Sequence, residues 1–153
     1  MTYWRMQLHP SEPGGAIHHT VRCLSAGYIG LDFLGHIPDL LTIQQSELPE
    51  NQRNYFAFAS EMEVNDWVLL FAHHYPFALV RVAGEYNYIR SPAAELGVWF
   101  RHFRRVDRVQ YYGDFVTNAR AWESITMTAT ITPLRQQDTA TYELMVRWLA
   151  SLE

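Results

Sequence analysis

The chain has 153 residues, a formal charge of −4, 48% apolar residues and 18% charged ones, the make-up of one globular domain rather than a disordered or fibrous chain. A single cysteine, Cys23, excludes a disulfide framework and any multi-cysteine zinc site. All twelve cationic side chains are arginine, which excludes a P-loop and Schiff-base catalysis, both of which need a lysine amine, and disfavours nucleases that set a lysine beside two carboxylates.

In chain order, Tyr3 to Met6 reads as a short opening strand, and His9 to Gly15 as a Pro- and Gly-rich loop. The start has no basic region followed by an apolar run, and no stretch approaches the ~20 residues of a membrane span. A cytoplasmic protein without a membrane anchor is therefore expected. Ala16 to Ala26 suits a helix carrying His18 and His19, and Gly27 to Gly35 a strand with glycines at both ends. His36 to Leu41 turns into a helix. From Pro49 to Glu63, Tyr55, Phe58, Ala59 and Met62 recur at helical spacing.

Asp66 to Phe71 and Phe77 to Ala83 are two strongly apolar strands joined as a hairpin. Gly84 to Tyr88 extends the second with alternating aromatics, and Arg90 to Leu96 is a loop. Phe103 to Tyr111 and Met127 to Ile131 are further strands. Thr139 to Leu152 is a helix capped by Asp138 or Thr139, with Tyr142, Met145, Val146 and Leu149 on one face. Strands mixed with short helices, without regular β-α-β alternation, predict an α+β domain built on a curved, mixed or antiparallel, barrel-like sheet with flanking short helices. Residues 1–135 form its body. Residues 136–153 are a C-terminal helix, part of the domain or the start of a linker.

The stretch from Val98 to Tyr112 sets four arginines among aromatic residues. Guanidinium forks match phosphate oxygens, and rings stack on unpaired bases, so the pattern suits a nucleic-acid surface. The same pattern also suits a strand whose aromatics fill a core while its arginines meet surface carboxylates. The adjacent pairs His18-His19 and His73-His74 point to opposite faces if extended, so neither builds a metal site. Ser25 and Ser60 lack the glycines of a nucleophile elbow, and Cys23 suits a buried inert thiol. No metal, cofactor or catalytic residue is expected.

The order of these pieces resembles an EVE-type domain of the PUA-like superfamily, to which the YTH domains are related. YWRM opens the chain; GYIGLDFLGHIPDL, EMEVNDWVLLF, FALVRVAGEYNYI and HFRRV follow in turn. The likeness is to readers at the N-terminus of McrB-type and Mrr-type modification-dependent restriction proteins, and it covers about residues 3 to 110. Asn65 stands where such domains usually have glycine, and Arg108 where they usually have tryptophan.

The resemblance implies a reader that is not itself an enzyme. Such a domain takes one base, flipped from a duplex or from a single strand, into an aromatic pocket. The implied ligand is DNA with a modified base, methylated or hydroxymethylated cytosine or N6-methyladenine; modified or structured RNA is the alternative. An effector nuclease or NTPase domain or subunit is the implied partner. Tyr28, Ile29, Leu31, Asp32, Phe33, Tyr86, Tyr88 and Trp99 are the implied base pocket, with Asp32 an acceptor for an exocyclic amine. Arg90, Arg101, His102, Arg104 and Arg105 are the implied backbone contacts.

Overall fold

A computed structural model describes residues 1–8, 13–31, 37–72, 75–91, 100–112, 131–134 and 140–153. Among these residues are seven strands: β1 (Tyr3–Gln7), β2 (Tyr28–Leu31), β3 (Trp67–Ala72), β4 (Tyr75–Val82), β5 (Asn87–Tyr88), β6 (His102–Tyr111) and β7 (Ile131–Pro133). They form one sheet in the order β2-β6-β4-β3-β1-β7, with β5 also paired to β6. β1 runs parallel to β3, Tyr3 facing Trp67, and the other ladders are antiparallel. The result is a curled, mixed half-barrel, an α+β architecture as expected.

The strand period of two sorts residues between the two faces. Trp4 and Met6 of β1, Val68 and Leu70 of β3, and Ala78, Val80 and Val82 of β4 join the main core on the inner face. Leu69, Phe71 and Leu79 belong to a second cluster on the other face. A central strand buried on both sides is why Trp67 to Ala72 is an unbroken apolar run.

Helix α1 (Pro13–Ala26) and β2 join through Gly27. That residue has φ +83°, and its N–H donates to the Leu24 carbonyl at 3.0 Å, the left-handed helix ending that glycine adopts without steric cost. The helix starts at Pro13, inside the segment expected to be a loop; proline's fixed φ suits a first helical turn. Residues 50–56 wind as a 3-10 helix before the single α-helical turn α2 (Ala57–Ser60), so the helical reading there is right in period but tighter in form. Phe58, fully buried, anchors this segment to the main core.

The C-terminal helix, α3 (Ala140–Ser151), lies across the outer face. Met145 is fully buried there, with Tyr142, Leu144, Trp148 and Leu149 packed around it. Val146, expected on the buried face, is 43% exposed, because the stripe runs through Leu144 and Trp148 instead. Burying side chains of this size contributes roughly 1.5–3 kcal/mol each.

Asp66 ties the first strand to the third. Its buried carboxylate accepts from the Thr2 N–H, the Trp4 indole N–H and the Glu63 N–H, each at 2.9 Å. Just before it, Asn65 sits at φ +78° and donates its N–H to Val82 O at 2.8 Å. Asparagine is among the few side chains that tolerate this conformation.

Candidate functional site

Three sequence segments meet at His102. On one side β2 pairs with β6, Leu31 opposite His102 and Tyr28 opposite Arg105. On the other side β5 pairs with β6, Tyr88 opposite His102 and Asn87 opposite Phe103. The glycine-bounded strand, the aromatic strand and the arginine-rich strand therefore share one end of the sheet. Gly30 makes that junction possible, because a Cβ there would lie 2.5 Å from the Phe100 Cβ and 2.6 Å from the His102 carbonyl oxygen.

Along β6, His102, Arg104 and Val106 turn inward and are buried. Phe103 and Arg105 turn to the opposite face. The Phe103 ring meets the Tyr28 ring edge-on at 5.4 Å between centroids and an interplanar angle of 80°. Arg105 is exposed beside them, and Arg90 is exposed beyond β5. Tyr28, Phe103 and Arg105 thus form an open aromatic and basic patch.

Further along β6 the pattern is re-phased. Arg81 pairs with Asp107 but Leu79 pairs with Gln110, so two β6 residues oppose one of β4. Arg108 takes up this bulge at φ +48° and is exposed, while Val109 packs against the main core. Beside the bulge, Arg81 and Asp107 form a bidentate ion pair at 2.8 and 2.6 Å. Those bonds hold the Asp107 carboxyl below its ordinary value.

The inward side chains do structural work. Arg104 is 3% exposed. Its Nε donates to Phe58 O at 2.8 Å, Nη1 to Gly84 O at 3.1 Å, and Nη2 to Met62 O at 2.6 Å and Ala59 O at 3.4 Å. The carbonyls at and just beyond the end of α2, which lack partners within the helix, are thus closed by a guanidinium from the sheet. Its carbon Cζ also lies 5.7 Å from the centroid of the Phe58 ring. Burial pulls the Arg104 guanidinium below its ordinary value, opposed by the charges of Asp66 and Glu85.

His102 is 1% exposed, and its Nδ1 lies 2.7 Å from the Tyr86 hydroxyl. That hydroxyl also accepts from the Leu40 N–H at 3.0 Å. Burial pushes the Tyr86 phenol well above its ordinary value, the Leu40 bond opposing and the charge of Asp39 adding to the rise. Tyr88 leans on the same imidazole, its ring centroid 5.0 Å away.

Two of the implied backbone contacts are therefore corrected. Arg104 and His102 are enclosed and committed to protein partners, so neither reaches a phosphate. Alternation carried the signal: both lie an even number of residues from the apolar Val106 and must share its face. Ile29 and Leu31 are core residues, fully or nearly fully buried, so they back a wall rather than line an opening. Tyr86 is 8% exposed and Tyr88 half-buried. Arg101 is half-buried at the start of β6. Asp32, Phe33 and Trp99 lie outside the described residues, as do His73 and His74. Cys23 is buried, and no group of three metal-ligating side chains occurs among the described residues. No helix among them is long and apolar enough to cross a membrane.

No protein-family model matches the chain, and no curated protein matches it.

Proposed function

We propose that the chain is a non-catalytic reader of the EVE type within the PUA-like superfamily, binding DNA that carries a modified base. The observation that supports this most is the register at His102. Leu31 and Tyr88 flank that residue on opposite sides, and the open surface beside it carries Tyr28, Phe103 and Arg105. The expected pocket residues Asp32 and Phe33 follow Leu31 directly in the chain, and Trp99 precedes Phe100.

The energetics of such a reader are constrained. Stacking a base on an aromatic ring contributes ~1–3 kcal/mol, and extruding it from a duplex costs a few kcal/mol. A methyl group in an apolar corner adds about 0.8 kcal/mol. Arginine–phosphate contacts must supply much of the remainder, and with Arg104 enclosed they fall to Arg90, Arg101 and Arg105. Binding is then moderate and strongly weakened by salt.

The test is fluorescence-polarisation binding to otherwise identical duplexes with cytosine, 5-methylcytosine, 5-hydroxymethylcytosine or N6-methyladenine, at two salt concentrations. Salt-sensitive preference for one modified duplex is expected. Equal binding to all four, or none, overturns the reading. The Tyr28–Phe103 ring pair on an open sheet face also suits unpaired bases. Tighter binding of a single-stranded RNA than of any duplex would make RNA the ligand. The cutting or nucleotide-hydrolysing activity of a restriction system would then reside on an effector partner.

A further inference from the structure

A cleft of ≈350 Å³ opens between the turn after α2 and the turn from β4 to β5. It lies at the small end of the range for ligand sites, roughly 300–1,000 Å³. Two of its lining side chains are apolar and open to solvent, Leu41 at 64% and Val64 at 43% exposure. Two others, Glu63 and Glu85, are exposed carboxylates. Neither forms an ion pair with another described residue.

Arg104 also lines this cleft, but its positive charge is met by the buried Asp66 as well as by Glu85, and its guanidinium is spent on carbonyls. Among the described lining residues the two glutamates outnumber this one guanidinium, so their excess charge is negative. An excess of carboxylates disfavours a phosphate here. Its complement is a cation on an aliphatic stem. Arginine fits both halves: its methylenes lie along apolar surface, while its planar fork pairs with carboxylates and is desolvated more easily than an ammonium. The exposed Leu41 and Val64 call for more than a free amino acid, because only neighbouring residues of a chain would cover them.

We propose that this cleft docks a partner polypeptide by receiving one of its arginine side chains between Glu63 and Glu85. The proposal stands independently of the nucleic-acid reading and marks a second, oppositely charged working surface.

The experiment is an NMR titration of the full chain with acetyl-Leu-Arg-Leu-amide, with the same peptide carrying citrulline, and with free argininamide. Saturable shifts are expected at the amides of Leu41, Val64 and Glu85. Citrulline, isosteric but uncharged, should bind at least tenfold more weakly, as should the double variant Glu63→Gln/Glu85→Gln. Both glutamates are exposed, and Glu63 bonds to Asp66 through its main chain, so the variant keeps the fold. Adding a DNA duplex should leave the peptide bound. Non-saturating shifts, equal citrulline binding, or an unaffected double variant would overturn the proposal. Displacement by DNA, or argininamide binding as tightly as the peptide, would overturn it as well.

Discussion

At the scale of single residues, two adjacent arginines of β6 have opposite fates. Arg104 closes carbonyls of Phe58, Ala59, Met62 and Gly84, whereas Arg105 is open to solvent. Arg104→Met leaves several buried acceptors unpaired at about 1–3 kcal/mol each, so a loss of at least 3 kcal/mol is expected, read by urea denaturation. Lysine should not rescue it, since one ammonium cannot span the fork of contacts. Arg105→Gln should leave the denaturation midpoint unchanged. It should flatten the log–log salt dependence of nucleic-acid binding by about one unit, and an unchanged slope would remove Arg105 from the interface. Tyr86→Phe deletes the partner of Leu40 and His102 and should cost about 1–3 kcal/mol. The Tyr86 phenol titrates higher in the folded chain than its ordinary value of 10.0. Its stabilising contribution is therefore complete below that pH and declines as the pH rises above it. The phenylalanine variant should lack this alkaline decline in melting temperature.

At the scale of elements, β6 shows what could and could not be read in advance. Its extent was legible to within a residue, because Phe103, Val106, Val109 and Tyr111 recur through a run free of glycine and proline. The inward side of Arg104 was equally available from the parity with Val106, but a cluster of arginines reads as surface when charge is weighed ahead of period. The bulge at Arg108 was not legible, since nothing local distinguishes that arginine from its neighbours. Only the β4 register forces it to φ +48°. Arg108→Gly should relieve the strain of a left-handed conformation, about 1 kcal/mol, and raise the melting temperature. The reverse applies at Asn65, which also stands at positive φ, +78°. Asn65→Val should destabilise by about 1–2 kcal/mol.

At the scale of the whole molecule, one curled sheet carries two apolar faces, and each needs a cover. The inner core lies among the sheet, α1 and the turns around α2, while α3 covers the outer cluster. Met145→Ala should cost about 2–5 kcal/mol by emptying the centre of that cluster, measurable by chemical denaturation. An unaltered midpoint would mean that α3 is a loosely attached appendage. The amphipathic helix was legible in its 3.6-residue period, but which side of a two-sided sheet it covers was not. Nor was the parallel pairing of β1 with β3, which depends on contacts more than sixty residues apart, such as Trp4 to Asp66.

That placement of β1 has a temporal consequence. Strand β1 precedes both of its neighbours, β3 and β7, and neither exists until residues 67–72 and 131–133 have been made. The opening segment, including the indole of Trp4, must wait for β3 until residue 72, near the middle of the chain, and for β7 until residue 133. Closing so long a loop raises contact order and slows folding. The β3–β4 hairpin can form locally, whereas insertion of β1 completes the sheet late. The interval before that insertion is when this chain is most open to edge-to-edge association and to chaperone capture.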